Sequence, residues 1–408
     1  MTTVAAPRPV ALGLPGLERA VLFTLIVALP LEELLPTVAG VSTVALLFGG
    51  LAAVVFVTRP VALFRAVTCK PMLAVWLVVG VGVVLEGGRS IPEYEQCVRI
   101  AEMALGAAVV AAAVRDRAAE RLVVTGYIVL AAWLGTYLIG FSYSALIGAF
   151  AGSFTEATAV RASVFAEGAL SNNLNEVAFL VGQGAIVSLA VALADRRRDR
   201  SLLVAGIGLI AFVAAFLPLS RSGALILVVT AAILIVAQSR HIGRALVLGG
   251  SLVASAAFVV PDAVFARFAV AARYASGTRE ARAQIYAAAW RSMHEYFWRG
   301  VGSSAFSESW GYTHGFFIGG RMLGAHNAFF QVAIWWGAAG LAALCYAVWR
   351  LSRLMPSVRS ADPYEVALVA LSLTLFLRLF VTHVLYAKSF SIGVGLLVAR
   401  HLTTRTDP

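Results

Sequence analysis

Charge is scarce in this sequence. Of its 408 residues, 13% are charged and 60% are hydrophobic, and the mean hydropathy is +0.87. A water-soluble domain of this length needs far more polar surface, so a soluble enzyme or binding module is excluded. Strict apolar–polar alternation is also missing. The apolar runs are long and continuous, which excludes a transmembrane β-barrel. The three cysteines, Cys69, Cys97 and Cys345, are odd in number and lack metal-ligand spacing, so they predict neither a disulfide framework nor a zinc site. Carboxylates are few, 21 against 32 basic residues. On the expected outer side the one close pair is Glu93-Tyr94-Glu95, and two carboxylates without a third ligand are weak grounds for a divalent cation. Neither a metal nor another cofactor is therefore expected. A cleavable leader is not evident either. Residues 1–16 are rich in Pro and Ala, and the first apolar run contains Pro30 and reads as an uncleaved span.

What the sequence does contain is a succession of apolar helices. The expected class is an all-α, polytopic membrane protein forming one integral membrane domain over residues 1–408. Hydropathy predicts about twelve transmembrane helices, near 19–36, 38–58, 71–86, 97–114, 122–141, 174–194, 202–218, 221–238, 244–260, 326–349, 364–382 and 384–401. Positive charge falls in every second connection, at Arg59/Arg65/Lys70, Arg115/Arg117/Arg121, Arg196/Arg197/Arg198/Arg200, Arg240/Arg244 and Arg350/Arg353/Arg359, and both termini share it. By the positive-inside rule these segments and both termini are expected on the cytoplasmic side. That placement alone accounts for the net charge of +11, and no nucleic-acid partner is needed.

One outward connection breaks the pattern. Residues 261–325 carry seven arginines, Arg267, Arg273, Arg279, Arg282, Arg291, Arg299 and Arg321, on the side where positive charge is normally sparse. Within it, Arg279 to Trp298 has helical periodicity, with Tyr286, Trp290, Met293 and Phe297 on one stripe. Arg282 stands four residues before Tyr286 and shares that face, with Arg279 close by, so an amphipathic helix is predicted there, packed on the bundle or lying at the interface. Arg291 falls off the stripe and is expected to meet water or headgroups. A lone outward arginine usually does no more than snorkel to headgroups, and Arg267, Arg273, Arg299 and Arg321 are read that way.

Three further features share that side. Ser220-Arg221-Ser222-Gly223 opens the eighth expected span. A helix start with an arginine and two hydroxyls suits a phosphate, because free N–H groups and the helix dipole favour an anion. Arg161, followed by Asn172, Asn173 and Asn175, leads into the sixth span, and His326 with Asn327 opens the tenth. A histidine at a helix start beside arginines is biased toward the neutral form that can accept a proton; taken alone it is more often an interfacial residue, which is the reading for His294, His314 and His383. Arg378 lies inside the eleventh span, where a charge costs about 2.5 kcal/mol or more, and is expected to face a polar cavity, with either substrate or a structural partner as its counterpart.

The order of these motifs resembles the O-antigen ligase and O-antigen polymerase superfamily. The resemblance rests on Arg282-x-x-Ile-Tyr286, Arg299-Gly-Val-Gly302 with Phe306, Ala325-His326-Asn327-Ala-Phe329-Phe330, Gly337-x-x-Gly340-Leu341, the Ser220–Gly223 corner, and Arg161 with its asparagines. It extends from about 161 to 341; Tyr286 and Phe330 stand where that family usually has Trp and Leu. The resemblance implies a metal-independent membrane glycosyltransferase of the bacterial inner membrane with a periplasmic active site, which makes 261–325 a long periplasmic loop. Its donor would be a glycan on undecaprenyl diphosphate. His326 would be the general base, Arg221 and Arg282, with Arg161 as a weaker third, would hold the diphosphate, and Asn327, Arg279, Ser220 and Ser222 would support them.

Two products are compatible with that chemistry. A ligase passes the glycan to lipid A-core oligosaccharide, whereas a polymerase passes it to another lipid-linked repeat. The resemblance to polymerases implies two sizeable outer loops, and only one is long here, so ligase is favoured. A third reading, a transporter or flippase of an anionic lipid, expects midspan charges and an internal repeat; the charges are few and no repeat is clear.

Overall fold

The computed structural model describes the chain except residues 1–13, 33–36, 39–40, 88–90, 148–173, 196–197, 219, 239–242, 244–245, 248, 252–280, 319–320, 383–384, 386 and 405–408. The described residues are almost wholly helical, as composition requires. The first half contains α1 (Leu14–Ala28), α2 (Thr43–Thr58), α3 (Pro60–Thr68), α4 (Lys70–Glu86), α5 (Glu95–Ala113) and α6 (Arg117–Ile147). The second half adds α7 (Leu174–Ala194), α8 (Arg198–Ala214), α9 (Arg221–Ala237), α10 (Ala281–Glu295), α11 (Ala328–Ser352), α12 (Pro363–Arg378) and α13 (Lys388–Thr403). Two antiparallel hairpins of two-residue strands, Thr37–Val38 with Val41–Ser42 and Phe317–Ile318 with Arg321–Met322, are the described β-structure.

The helices do not reproduce twelve uniform spans. Among the described residues four are long and apolar enough to cross a bilayer, Glu95–Ala113, Arg117–Phe141, Leu174–Ala194 and Ala328–Ser352. The α2–α3 pair counts as a fifth if its 109° bend is taken within one span. Six others, α1, α4, α8, α9, α12 and α13, run only 15 to 17 residues. At about 1.5 Å per residue they fall short of roughly 30 Å of hydrocarbon. Apolar composition continues past their ends, but the backbone there turns, as at Phe216–Pro218 and Leu379–Val381, and hydropathy does not detect a turn. The ninth expected span, 244–260, lies mostly outside the described residues, as do 261–280 and 148–173 with Arg279 and Arg161.

The core is built around α7, whose residues from Val177 to Ala194 are all buried. It packs against α6, α8, α9 and α12. Small residues permit the close approach, as expected where no hydrophobic force drives helix association in lipid. A Cβ on Gly184 of α7 would lie 2.8 Å from the Tyr127 carbonyl of α6, and one on Gly135 of α6 would lie 3.1 Å from Ala211 Cα of α8.

Charge divides the bundle into two ends. At one, Arg19 pairs with Asp116 at 2.7 Å, Arg59 with Glu18 at 2.7 Å, Arg117 with Asp362 at 3.3 Å, Arg400 with Glu365 at 2.7 Å and Arg200 with Asp195 at 3.8 Å. These residues come from the arginine-bearing connections, which gather together as the alternation of charge predicts. The starts of α7, α9 and α11 lie at the other end, together with the ends of α4 and α12.

Candidate functional site

Asn327 builds the corner at the start of α11. Its side-chain oxygen accepts the Phe329 and Phe330 N–H groups at 2.9 and 3.1 Å, the N-cap expected of a short amide ahead of an apolar run. Its amide nitrogen donates to the Phe380 carbonyl at 3.3 Å, and the Ala328 N–H donates to the Leu379 carbonyl at 2.8 Å. The turn that ends α12 therefore grips the start of α11.

His326 precedes this cap with φ at +49°, the only described residue other than glycine with positive φ. That left-handed conformation is uncommon for a side chain of this size and persists only where the surroundings fix it. They do so from three directions. The Tyr286 hydroxyl donates to the His326 carbonyl at 3.4 Å, and the side-chain oxygen of Gln331 accepts the neighbouring Ala325 N–H at 2.6 Å. The α12 turn holds the next two residues. Tyr286 also meets the Phe330 ring edge-on at 6.1 Å.

Tyr286 belongs to α10, whose packed face differs from the predicted stripe. Ile285, Ala288, Ala289 and Ser292 are buried, whereas Trp290 is 53% exposed. The small residues bring α10 close to its neighbours, and Ala288 Cβ lies within 3.2 Å of where a Cβ on Gly315 would sit. Trp290 is too large for that surface and turns outward. Arg291 is exposed, as expected. Residue 282 is the second of α10, one turn before Tyr286, which brings this position of the expected arginine to the helix that holds His326.

The next motif explains the glycines. Helix α11 is broken at Trp336 and Gly337, whose φ values are −128° and +61°. The segment after α10 threads into the break: Val301 N–H donates to the Ile334 carbonyl at 2.8 Å, Gly302 N–H to Trp335 at 2.9 Å, and Ala338 N–H to Phe297 at 2.5 Å. Backbone polar groups freed inside an apolar bundle must be satisfied, and Arg299–Gly302 supplies partners. Side chains would block this contact. A Cβ on Gly337 would lie 2.6 Å from the Phe297 carbonyl, and one on Gly300, at φ +73°, would lie closer still to the Trp335 carbonyl. Glu86, the last residue of α4, locks the junction by accepting from Ser303 N–H at 2.7 Å and Trp336 Nε1 at 2.8 Å.

The Ser220 corner also forms. Ser220 is the N-cap of α9, with its hydroxyl 3.3 Å from Gly223 N, so Arg221 is the first helical residue. Ser222 Oγ lies 3.4 Å from Ser220 Oγ. Gly223 meets Ala178, one turn into α7, where an added Cβ would approach to 3.1 Å. The start of α9 thus sits beside the start of α7, where Asn175 lies.

Arg378 is held by partners on three sides. It forms a two-point ion pair with Glu176 at the start of α7, with Nη1 to Oε1 at 3.1 Å and Nη2 on Oε2. Nη1 also meets Ser389 Oγ at 3.3 Å, and the guanidinium lies 4.2 Å over the Phe179 ring. The buried charge is a structural partner between helices. Sequence reasoning missed Glu176, Gln331 and Glu86. Each is a lone polar residue at the edge of an apolar run, and only its distant partner gives it meaning.

The contacts make a chain. The start of α9 touches α7, α7 pairs with the end of α12, that end caps α11 at His326, and α10 closes on His326 from the other side. The sequence motifs at Ser220–Gly223, Arg282–Tyr286, Arg299–Gly302, His326–Asn327 and Gly337–Gly340 are tied into one region by these contacts.

No curated protein matches the chain. The family model for O-antigen ligase matches residues 206–345, a stretch that holds all five of those motifs and leaves out Arg161. Over these residues the chain is similar to the O-antigen ligase family.

Proposed function

We propose that the protein is an O-antigen ligase of the bacterial inner membrane. In this reading it moves a glycan from undecaprenyl diphosphate to lipid A-core oligosaccharide at the periplasmic face. A hydroxyl oxygen of the acceptor attacks the anomeric carbon of the donor as its proton passes to His326. The bond from that carbon to the diphosphate oxygen breaks, and undecaprenyl diphosphate leaves with the electron pair. Direct displacement inverts the anomeric centre. Arginines neutralise the leaving diphosphate in place of a metal or general acid: Arg221 at the start of α9, Arg282 at the start of α10, and Arg161 as a third. Asn327 sets the His326 corner, while Ser220 and Ser222 shape the α9 start, a helix N-terminus whose dipole favours an anion. Arg279 supports Arg282.

The observation that carries this reading is the conformation of His326. A residue in the left-handed region, fixed through contacts from α10, α11 and α12, is the kind of strained position that binding and catalytic sites hold. It lies inside the matched family region. Purified protein given lipid-linked glycan and lipid A-core should form the joined lipopolysaccharide without added metal. His326→Ala should bind the donor and fail to transfer; normal turnover by that variant rules the mechanism out. In cells, loss of the protein should leave unsubstituted core, whereas core bearing a single repeat would assign it as a polymerase.

A further inference from the structure

A separate set of groups lies at the opposite end of the bundle from His326 and takes no part in that chemistry. Between α3 and the ends of α5 and α13 is a cavity of about 200 Å³, walled chiefly by small apolar side chains with Arg65 and Arg115 among its lining. Helix α3 turns 109° from α2, so it runs across the bundle end instead of along it. Its outward face carries Val61 and Phe64, 63% and 68% exposed, and the end of α2 adds Phe56 and Val57. A short helix with apolar residues outward and an arginine at its end suits the bilayer interface.

The charges around the cavity are unbalanced. Arg59 is already engaged, 2.7 Å from Glu18, with its other nitrogen at the Ala112 and Ala113 carbonyls. Glu18 also accepts the Thr58 hydroxyl. Among the described residues neither Arg65 nor Arg115 has a carboxylate partner. Burial lowers the Arg115 pKa, and the Arg59 and Arg65 charges add to this against the opposing pull of Glu18. Three guanidiniums thus share one carboxylate, an arrangement that an additional anion stabilises. The apolar walls indicate that this anion carries hydrocarbon.

We propose that this cavity binds the headgroup of an anionic phospholipid, with Arg65 and Arg115 on its phosphate oxygens and its acyl chains along Phe64 and Val61. Guanidinium forks match phosphate geometry and are stronger where the surroundings are partly dry. The test is native mass spectrometry of the full-length protein in detergent, titrated with phosphatidylglycerol or phosphatidylcholine. Phosphatidylglycerol should be retained preferentially. The R65Q/R115Q double variant should weaken that retention about tenfold, the size of change expected when charge-assisted contacts to phosphate are removed. Thr403→Trp narrows the same cavity without changing a charge and should weaken retention too. Arg353→Gln, which removes a guanidinium stacked on Trp349 at 6.0 Å, should not. Equal retention of both lipids, unchanged retention in the first two variants, or equal loss in the third overturns the proposal. Displacement of phosphatidylglycerol by inorganic phosphate also overturns it, because the ligand is then a free anion.

Discussion

Arg378 and Glu176, 202 residues apart in sequence, form a two-point ion pair that joins the end of α12 to the start of α7. The next two residues after Arg378 are Leu379 and Phe380, whose carbonyls hold Ala328 and Asn327. The pair therefore anchors the turn that caps His326. Removing one partner of such a pair leaves the other charge poorly solvated, which typically costs about 3–5 kcal/mol when both are fully buried. The Glu176 side chain keeps 26% exposure, so Arg378→Gln should cost less, on the order of 2 kcal/mol. Thermal unfolding in detergent measures it. Donor binding should persist while the turnover number falls, and Arg378→Lys should recover part of both losses. A variant that is less stable but turns over normally would show that the turn does not set His326.

Glu86 is the clearest case of an orphaned-donor test. Its Oε1 serves both Ser303 N–H and Trp336 Nε1. Glu86→Ala leaves two donors in the junction without an acceptor, at about 1–3 kcal/mol each. Glu86→Gln keeps a carbonyl oxygen and should lose about 1 kcal/mol or less. Tryptophan fluorescence should shift in the alanine variant as the Trp336 surroundings open. An alanine variant as stable as the glutamine one would show that water replaces the carboxylate.

The glycine junction makes a sharper demand. Gly337→Ala places a Cβ 2.6 Å from the Phe297 carbonyl at a φ of +61°, so both the contact and the conformation oppose it. Left-handed strain alone is worth about 1–2 kcal/mol, and the backbone hydrogen bonds across the break would part as well. The expected result is a loss of roughly 3 kcal/mol or failure to accumulate. Gly340→Ala tests the same motif without the left-handed strain, because its Cβ would lie 2.5 Å from Trp336 Cβ on a helix that does not require a positive φ.

The arginine-rich end allows a pH test. Burial alone would raise the Asp116 pKa, but the Ala119 N–H at 2.7 Å and the Arg19 guanidinium outweigh it, and the pKa lies below the ordinary 3.8. A depressed carboxylate contributes stability that is present above the unfolded pKa and lost as pH falls through the folded one. Asp116→Asn keeps a helix cap but not the charge. The wild-type advantage in melting temperature should therefore hold at neutral pH and fade below about pH 4; an advantage that persists into stronger acid would rule out this origin.

How much of this was legible in the sequence depended on the range of the interaction. The helix starts at Ser220 and Asn327 were readable because an apolar run begins at each, whereas the capping by their side chains is seen only in the structure. Charge alternation located the ion-paired end because insertion responds to each connection separately. The α10 face was misjudged at Trp290, since a large apolar residue scores as core while Ala288, Ala289 and Ser292 score as neutral. Burial there was decided by how near the partner could come. The glycines at 300, 302 and 337 stood out as a motif, yet their reason is a contact between two segments that no periodicity contains. Arg378 was recognised as costly, and its solution lay on a carboxylate 202 residues away.

His326 itself gives the most direct test of strain retained for function. At φ +49° any residue with a Cβ is disfavoured, whereas glycine adopts that region freely. Glycine also makes the unfolded chain more flexible, which offsets part of the gain. His326→Gly should therefore be more stable than His326→Ala by about 0.5–1 kcal/mol, although it has the smaller side chain. Both should lack transfer activity under the proposed mechanism. Thermal melts of the two variants side by side decide the matter: an alanine variant equal to or more stable than the glycine one would mean that the corner relaxes once the imidazole is gone. In that event the left-handed backbone would depend on the histidine side chain, and not on the contacts from Tyr286, Gln331, Leu379 and Phe380.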